Sequence, residues 1–528
     1  MGNLRSRTLL CSVFLLAFLL TAGCIKVGPD FAPPPTAVSE TWLETDDQRV
    51  KTSPAEYRNW WRLFNDPVLD KLIDLAYREN LPLRLAGVRV LEARAQLGIA
   101  VGELFPQTQQ GVGTAERVRL SAASPQATPG APLAYYQSQI GLSASWELDF
   151  WGKFRRAVES ADAGWLASVA DYDNTLVTLT GDVANSYITI RTLEKRLYIA
   201  QRNVETQKES LWIAEARFQG GTTSQRDVEQ AKTVLGSTQA LIPALDIQLR
   251  QAKNALSVLL GMPPSQLTGL LEGPRDIPAP PPQVAVGIPA DLLRRRPDIR
   301  SAELKAVAQC ATIGVAKADL FPAFSLVGNF GFAASDVGNA ALGDMFQWRS
   351  RSGTLGPSFQ WNILNYGQIT NNVRVQDARF QQLLISYQNA VLNAQRDVED
   401  QLIAFLRSQE QAGFLGESAA AALRSFDLAV LQYREGITDF TTVLTAQQAL
   451  LNEQDNLAST LGNISRNLVG VYRALGGGWQ IREGQDFVPE ATKEAMAKRT
   501  NWGRLLTPVA HTPSPGEEPK ASVRLPDW

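Results

Sequence analysis

The sequence predicts a mostly α-helical chain built on long antiparallel helical hairpins, with a membrane β-barrel portion to which each protomer contributes four strands. Three observations predict it: an internal tandem duplication, two very long helical patterns, and four segments that alternate with a period of two.

The duplication appears when the chain is slid on itself by roughly 215 residues. Leu104-Phe105-Pro106 recurs as Leu320-Phe321-Pro322, and Trp146 to Gly152 answers to Trp361 to Gly367. Arg217-Phe218 with Gly221 answers to Gln432-Tyr433 with Gly436, and Leu260-Gly261 to Leu475-Gly476. So long a period excludes a solenoid and implies that a whole half-molecule was copied.

After the Trp/Gly landmark each half runs for roughly 65 residues without proline, with apolar residues at steps of three and four. Leu176, Leu179, Val183, Tyr187, Ile190, Leu193 and Leu197 form the stripe in the first half; Val391, Ala394, Val398, Leu402 and Phe405 form it in the second. At ~1.5 Å per residue such a helix is about 100 Å long and must pack lengthwise on others, as in a coiled coil. Gly221 and Gly436 end these helices, and a second helix follows each, near Thr222 to Leu260 and Asp439 to Leu475. Each half is therefore a helical hairpin with a glycine turn at its tip. On helices alone, a soluble coiled-coil hairpin with purely structural tips fits equally well.

Before each long helix the period changes to two. Ile140, Leu142, Ala144, Trp146 and Leu148 alternate with polar and small residues, as do Leu355, Pro357, Phe359, Trp361 and Ile363. Trp146, Phe359 and Trp361 are assigned to a lipid-facing side, with Ser145 and Gln360 facing a wet lumen. The partner arms are Thr108 to Leu120, which alternates weakly, and Phe324 to Phe332. Four strands cannot close a barrel, and an open edge is not tolerated in lipid, so several chains must pool their strands. Two chains would give eight strands and a filled interior; three would give twelve and a wider lumen. A soluble, half-buried sheet is the alternative.

Composition narrows the function. The 51 basic and 53 acidic residues give a net charge of -2 and leave no basic stripe for nucleic acid. The N-terminus carries Arg5 and Arg7, the apolar run Leu9 to Leu20, and Thr21-Ala22-Gly23-Cys24. The run is too short to span a bilayer and reads as an export signal whose box makes Cys24 the lipid-attachment residue. Ordinary signal cleavage, leaving a free Cys24, is the alternative. Met1-Gly2 with Ser6 also fits a myristoylation pattern, but on a segment that export removes. Cys11 lies in the signal and Cys310 stands alone, so no intramolecular disulfide is expected.

No catalytic residue, metal site or cofactor site is expected. The one histidine, His511, lies near the C-terminus, away from any Ser-His-Asp or Cys-His arrangement. Gly476-Gly477-Gly478 lacks the Lys-Ser/Thr of a phosphate loop. The chain is expected to be no enzyme and to carry no energy source of its own.

Several words of this sequence resemble the TolC-like outer membrane factors, and within them the NodT-type lipoproteins of efflux pumps. They are Cys24 to Phe31, Trp60-Trp61 with Phe64-Asn65-Asp66-Pro67, Arg294 to Ile299, the paired Leu-Phe-Pro, and Leu475 to Trp479. The resemblance implies a homotrimer with a twelve-stranded outer-membrane barrel and a twelve-helix periplasmic α-barrel closed at its inner end. It implies a periplasmic adaptor and a proton-driven inner-membrane pump as partners, outer-membrane lipid around the barrel, and a passive exit duct for small molecules. Ile25 after the cysteine agrees with outer-membrane sorting. At the tips, the resemblance implies that Asp227 and Tyr433 tie the inner hairpin to its neighbour and hold the periplasmic gate. Thr442 and Thr445 stand where the family often has acidic residues facing the pore, and Asp439 is the nearest acid there. The runners-up are the exit duct of a type I protein-secretion system and a lipid-anchored coiled-coil scaffold that is no channel.

The expected boundaries are a signal peptide at 1–23, a lipid-anchored N-terminal segment and equatorial region at 24–80, and a first repeat at 81–275 with strands in 108–148 and a helical hairpin at 152–260. The second repeat covers 276–479, with strands in 323–363 and a hairpin at 366–475. Residues 480–528 are expected to be a disordered tail.

Overall fold

The computed structural model describes residues 26–53, 56–123, 130, 132–272, 275–337 and 341–507. The signal, Cys24 and His511 lie outside these residues. After a short strand β1 (Val50–Lys51), helices α1 (Pro67–Glu79) and α2 (Leu81–Gly102) lead to strands β2 (Thr108–Arg119) and β3 (Ala134–Leu148), then to α3 (Lys153–Gln219) and α4 (Gln225–Leu259). The second half repeats the order with β4 (Val284–Ala285), α5 (Pro297–Ala318), β5 (Ala323–Ser335), β6 (Arg351–Gln360), α6 (Gln368–Arg434) and α7 (Phe440–Ala474). A last helix, α8 (Glu490–Ala497), follows the second hairpin.

The duplication is metric as well as sequential. α3 and α6 each have 67 residues, and α4 and α7 each have 35. At ~1.5 Å per residue, the long pair measure about 100 Å. Leucines, valines and alanines at helical spacing bury one stripe of α3, and the same holds for α7. Where α3 meets α7 the contact is partly polar. Arg473 donates to Asp182 at 2.9 Å, Arg196 grips Asp455 at 2.7 and 2.9 Å, Asn203 donates to Gln454 at 3.0 Å, and Gln447 to Ser210 at 3.3 Å. These pairs fix the register of one hairpin on the other.

The largest core lies around the middle of the helices. Trp60 and Tyr472 stack with ring centroids 5.7 Å apart, and Leu69, Leu176, Tyr187, Phe405 and Leu468 belong to the same buried cluster. Asp66 caps α1 through the Val68 N–H and accepts a 2.6 Å bond from Tyr187, tying the first segment to α3. Before it, residues 35–49 run along α6. Gln395 and Glu399 accept from the Ser39 and Leu43 N–H groups, and Arg49 donates to the Leu406 carbonyl. Cys310 is buried and unpaired in α5. No helix among the described residues is long and apolar enough to cross a membrane, which says nothing of the strands.

The sheet has the order β2-β3-β5-β6, all antiparallel. Two hairpins, one from each half, therefore join through β3 and β5 and leave β2 and β6 as edges. Pro357 sits in edge strand β6, a position where a missing ladder donor is tolerated.

Two expectations are corrected. β6 ends at Gln360, so Trp361 lies just beyond the strand. Its indole N–H donates to the Leu320 carbonyl at 3.1 Å, as Trp146 donates to Leu104 at 3.2 Å. The paired tryptophans thus hook the paired Leu-Phe-Pro turns, while β6 ends at Gln360 because its ladder partner β5 begins at Ala323, directly after Pro322, which has no N–H to continue the ladder. The second correction concerns the tail, whose residues 480–507 are folded. Arg482 and Asp173 form a buried ion pair, each side chain 4% exposed. The Phe487 ring meets Tyr172 edge-on at 5.2 Å, Val488 and Met496 pack on Leu91, and Arg94 donates to the Leu505 and Thr507 carbonyls. Apolar anchors and one buried charge pair hold this part of the tail on the helices.

Removing one partner of a buried ion pair strands the other charge, typically at about 3–5 kcal/mol. Asp173→Ala is therefore expected to lower the melting temperature and to raise hydrogen exchange across 480–507 before it does so at the hairpin tips. Unchanged exchange in 480–507 would contradict the anchoring role of the pair.

Candidate functional site: hairpin tips and an open sheet

Both hairpin turns are built alike. At the end of α3 the Thr222 N–H bonds to the Arg217 carbonyl and the Gly221 N–H to Phe218. At the end of α6 the Ile437 N–H bonds to Gln432 and the Gly436 N–H to Tyr433. These are the paired six-to-one and five-to-two bonds of a glycine-terminated helix. They require a left-handed residue, and Gly221 (φ 73°) and Gly436 (φ 76°) supply it.

The two tips share one apolar cluster in which Ile213, Val228, Phe426, Tyr433, Phe440 and Val443 are buried. Asp227, in the first turn of α4, is 8% exposed and held by its own loop. It accepts from the Thr223 hydroxyl and, at 3.2 Å, from Ser224, with the Arg226 guanidinium 3.6 Å away. Tyr433 packs its ring on Phe440 at 5.1 Å, and its hydroxyl is buried without a hydrogen-bond partner among the described residues. No described hydrogen bond joins Asp227 to Tyr433 within the protomer.

Asp439 caps α7. The Thr442 hydroxyl donates to its carboxylate at 2.8 Å and the Thr442 N–H at 3.0 Å. These bonds hold the Asp439 carboxyl below its ordinary range, so an exposed negative charge stays at the tip. Thr442 and Thr445 are exposed on the side away from the buried Val443 and Leu444, and Thr445 turns its hydroxyl back to the Thr441 carbonyl at 2.8 Å.

One tip residue escaped sequence reasoning. Arg217, in the last turn of α3, lays its guanidinium 4.7 Å from the centre of the Tyr433 ring. The same group donates to the Tyr433 and Arg434 carbonyls at the end of α6. Carbonyls in a last helical turn lack intrahelical donors, and a cation there is favourable. Arg217 thus clasps the first hairpin to the second. Its only sequence signal was membership in a repeat landmark, where its counterpart is the uncharged Gln432.

At the other end of the molecule the sheet separates its residues cleanly. Register puts Trp146 opposite Leu326, Leu142 opposite Phe330, Gly328 opposite Leu355 and Phe324 opposite Phe359, all on one face. Ser145, Ser325, Asn329, Ser358 and Gln360 share the other face. The apolar face is uncovered, with Leu142, Leu355 and Phe359 69%, 80% and 71% exposed. A wall with one apolar and one polar face, mounted on a sheaf of ~100 Å helices, is suited to a membrane pore with a long stem.

Comparison with known proteins agrees with this geometry. The family model described as outer membrane efflux protein matches residues 72–262 and 288–477, one block in each half of the duplication. The chain is 33% identical over 453 residues to the pyoverdine export outer membrane protein OpmQ of Pseudomonas putida, covering 85% of this chain and 94% of that protein. It is 29% identical over 470 residues to nodulation protein T of Rhizobium leguminosarum bv. trifolii, covering 87% of this chain and 96% of that protein. Among solved structures, the outer-membrane channel OprN superposes with a TM-score of 0.80 at 33% identity, covering 86% of this chain and 99% of that one. The open state of the Neisseria gonorrhoeae MtrE channel superposes with a TM-score of 0.72 at 27% identity, covering 86% of this chain and 98% of that one. With a family match in both halves, relatives aligned over nearly their whole length and the same architecture, the chain belongs to the outer membrane efflux protein family and is an efflux channel of the outer membrane that extends into the periplasm.

Proposed function

We propose that this chain is one of three identical protomers that together form a passive exit duct for small molecules, working without chemistry of its own. The observation that carries the reading is the four-stranded sheet with one uncovered apolar face and two unpaired edges. Three copies supply twelve strands, enough to enclose a water-filled lumen, and closure removes every edge from lipid. The helical stem gives the same argument, since Trp212, Phe414 and Leu428 are 68%, 75% and 58% exposed and gain cover from neighbouring copies.

In this reading Trp146, Phe359 and Trp361 meet outer-membrane lipid, and Cys24 carries an acyl anchor. A periplasmic adaptor and a proton-driven inner-membrane pump deliver the cargo and supply the energy. Relatives are named for pyoverdine, solvent and toluene export, which favours small cargo over secreted proteins.

The gate lies at the tips. Asp227 and Tyr433 hold the inner hairpin against its neighbour, and the buried, unpartnered Tyr433 hydroxyl is the group awaiting that bond. Asp439, in three copies, gives the constriction its charge, with Thr442 and Thr445 beside it and no further carboxylate at those two positions.

Two experiments test the reading. A cation at mid-membrane on a lipid face costs about 2–4 kcal/mol and far less in a wet lumen. Phe359→Arg is therefore expected to deplete assembled trimer while Gln360→Arg leaves it intact; equal tolerance of both would contradict the facing. For the gate, a hydrogen bond to a charged partner contributes about 1.5–3 kcal/mol per subunit. Asp227→Ala with Tyr433→Phe is expected to raise single-channel conductance and admit large antibiotics such as vancomycin without loss of trimer. Unchanged conductance in an assembled double variant would reduce Asp227 to a helix-start carboxylate.

A further inference from the structure

Residues 26–30 lie in a built seat at the foot of the sheet. The Val27 N–H bonds to the Trp151 carbonyl at 3.0 Å, and Lys26 pairs with Glu159 at 2.8 Å. Beneath them Arg156, in the first turn of α3, has a side chain only 1% exposed. Its guanidinium donates to the Val27 and Gly28 carbonyls, both at 3.2 Å, and pairs with Asp30 at 2.8 Å and Glu159 at 3.0 Å. A buried guanidinium is costly unless its donors are matched, and here the arm supplies two carbonyls and a carboxylate. Without the arm, Arg156 would keep only Glu159 among these partners.

The fit is steric as well as electrostatic. Gly28 has φ 98°, and a Cβ there would lie 2.5 Å from the Gly314 Cα. A Cβ on Gly314 would lie 2.7 Å from the Val27 carbonyl oxygen and 2.8 Å from Arg156 Cγ. The backbone of the arm therefore crosses the backbone of α5 at a glycine pair that leaves no room for side chains. Trp151, which holds the arm from above, stacks on Phe321 with centroids 4.6 Å apart and donates to the Pro322 carbonyl at 2.8 Å. Phe150 beside it packs on Phe324 at the start of β5. The seat thus borders an aromatic collar where sheet and helices join, the level at which aromatic side chains favour a membrane interface.

We infer that residues 26–30 form a fixed arm, and that its seat on Arg156 and Gly314 sets where the Cys24 lipid enters the membrane, beside the collar of Phe150, Trp151 and Phe321. Position 24 is two residues from Lys26, so covalent reach alone keeps its Cα within about 7 Å of the Lys26 Cα. Acyl chains on Cys24 are then confined to the leaflet at the foot of the barrel, within that reach of the seat. This rests on the reading of Cys24 as lipidated, which the test separates from the seat itself.

Trypsin cuts after lysine only where several residues of backbone can be drawn out, so cleavage after Lys26 reports the open population of the arm. Trimer purified from cells fed radioactive palmitate is treated with trypsin, and both the retained label and a new N-terminus at Val27 are followed. The wild type is expected to keep its label and to yield no Val27 terminus. Gly28→Val, which lies outside every helix and strand, and Arg156→Gln are expected to cut at least about tenfold faster and shed the labelled tripeptide. Equal cleavage of wild type and both variants, or equal resistance, would overturn the seat. Absence of palmitate from the wild type would overturn the lipid reading alone, because the Val27 terminus still measures the arm.

Discussion

Most of this structure answers to one constraint, the two unpaired edges of a four-stranded sheet whose outer face is apolar. In water such a face is exposed at a cost of roughly 25 cal/mol per Å², and in lipid an unpaired edge leaves N–H and C=O groups with no partner. A single chain can satisfy neither solvent. In the proposed trimer, closure would pair β2 of one copy with β6 of the next and leave the apolar faces outward, resolving both at once. The duplication prepares for this closure: β3 and β5, one from each half, pair as readily within the chain as the outer strands must between chains.

The helices translate that constraint over ~100 Å. With 67 residues in each long helix and 35 in each partner, the two hairpins end level, and their tips share one apolar cluster. A one-residue slip between them would break the Arg196–Asp455, Asn203–Gln454 and Ser210–Gln447 contacts together. Polar contacts at a helix seam contribute less to stability than to register, and here they keep the two tips level. Arg217 completes the series by closing the last turns over Tyr433. Sheet and tips are thus joined by continuous helices.

The elements that were legible in the sequence are those with a sustained period. Proline-free helical spacing located α3 and α6 to within a few residues, the glycine turns placed α4 and α7 directly after them, and alternation located β3 and the body of β6. β2 was faint because the residues on its outward side are Gln109, Gly111, Gly113 and Ala115, which match no lipid-facing pattern. The end of β6 was misjudged because Trp361 and Ile363 continue the alternation past the last ladder pair, Ala323 with Gln360. The folded tail was missed for a different reason: its elements are short, and its anchor is an ion pair between residues 309 positions apart. Arg156 and Arg217 were likewise invisible as clasps, since each acts on backbone carbonyls more than a hundred residues away. Period reports local geometry, whereas these contacts exist only once the two halves have docked.

The central claim is that one chain cannot satisfy its own sheet and that three can. Its most direct test is the mass of the complex extracted from the outer membrane in mild detergent, measured without denaturation. The account predicts a single species with the mass of three chains. A stable monomer that keeps its strands folded in detergent and in lipid would contradict it.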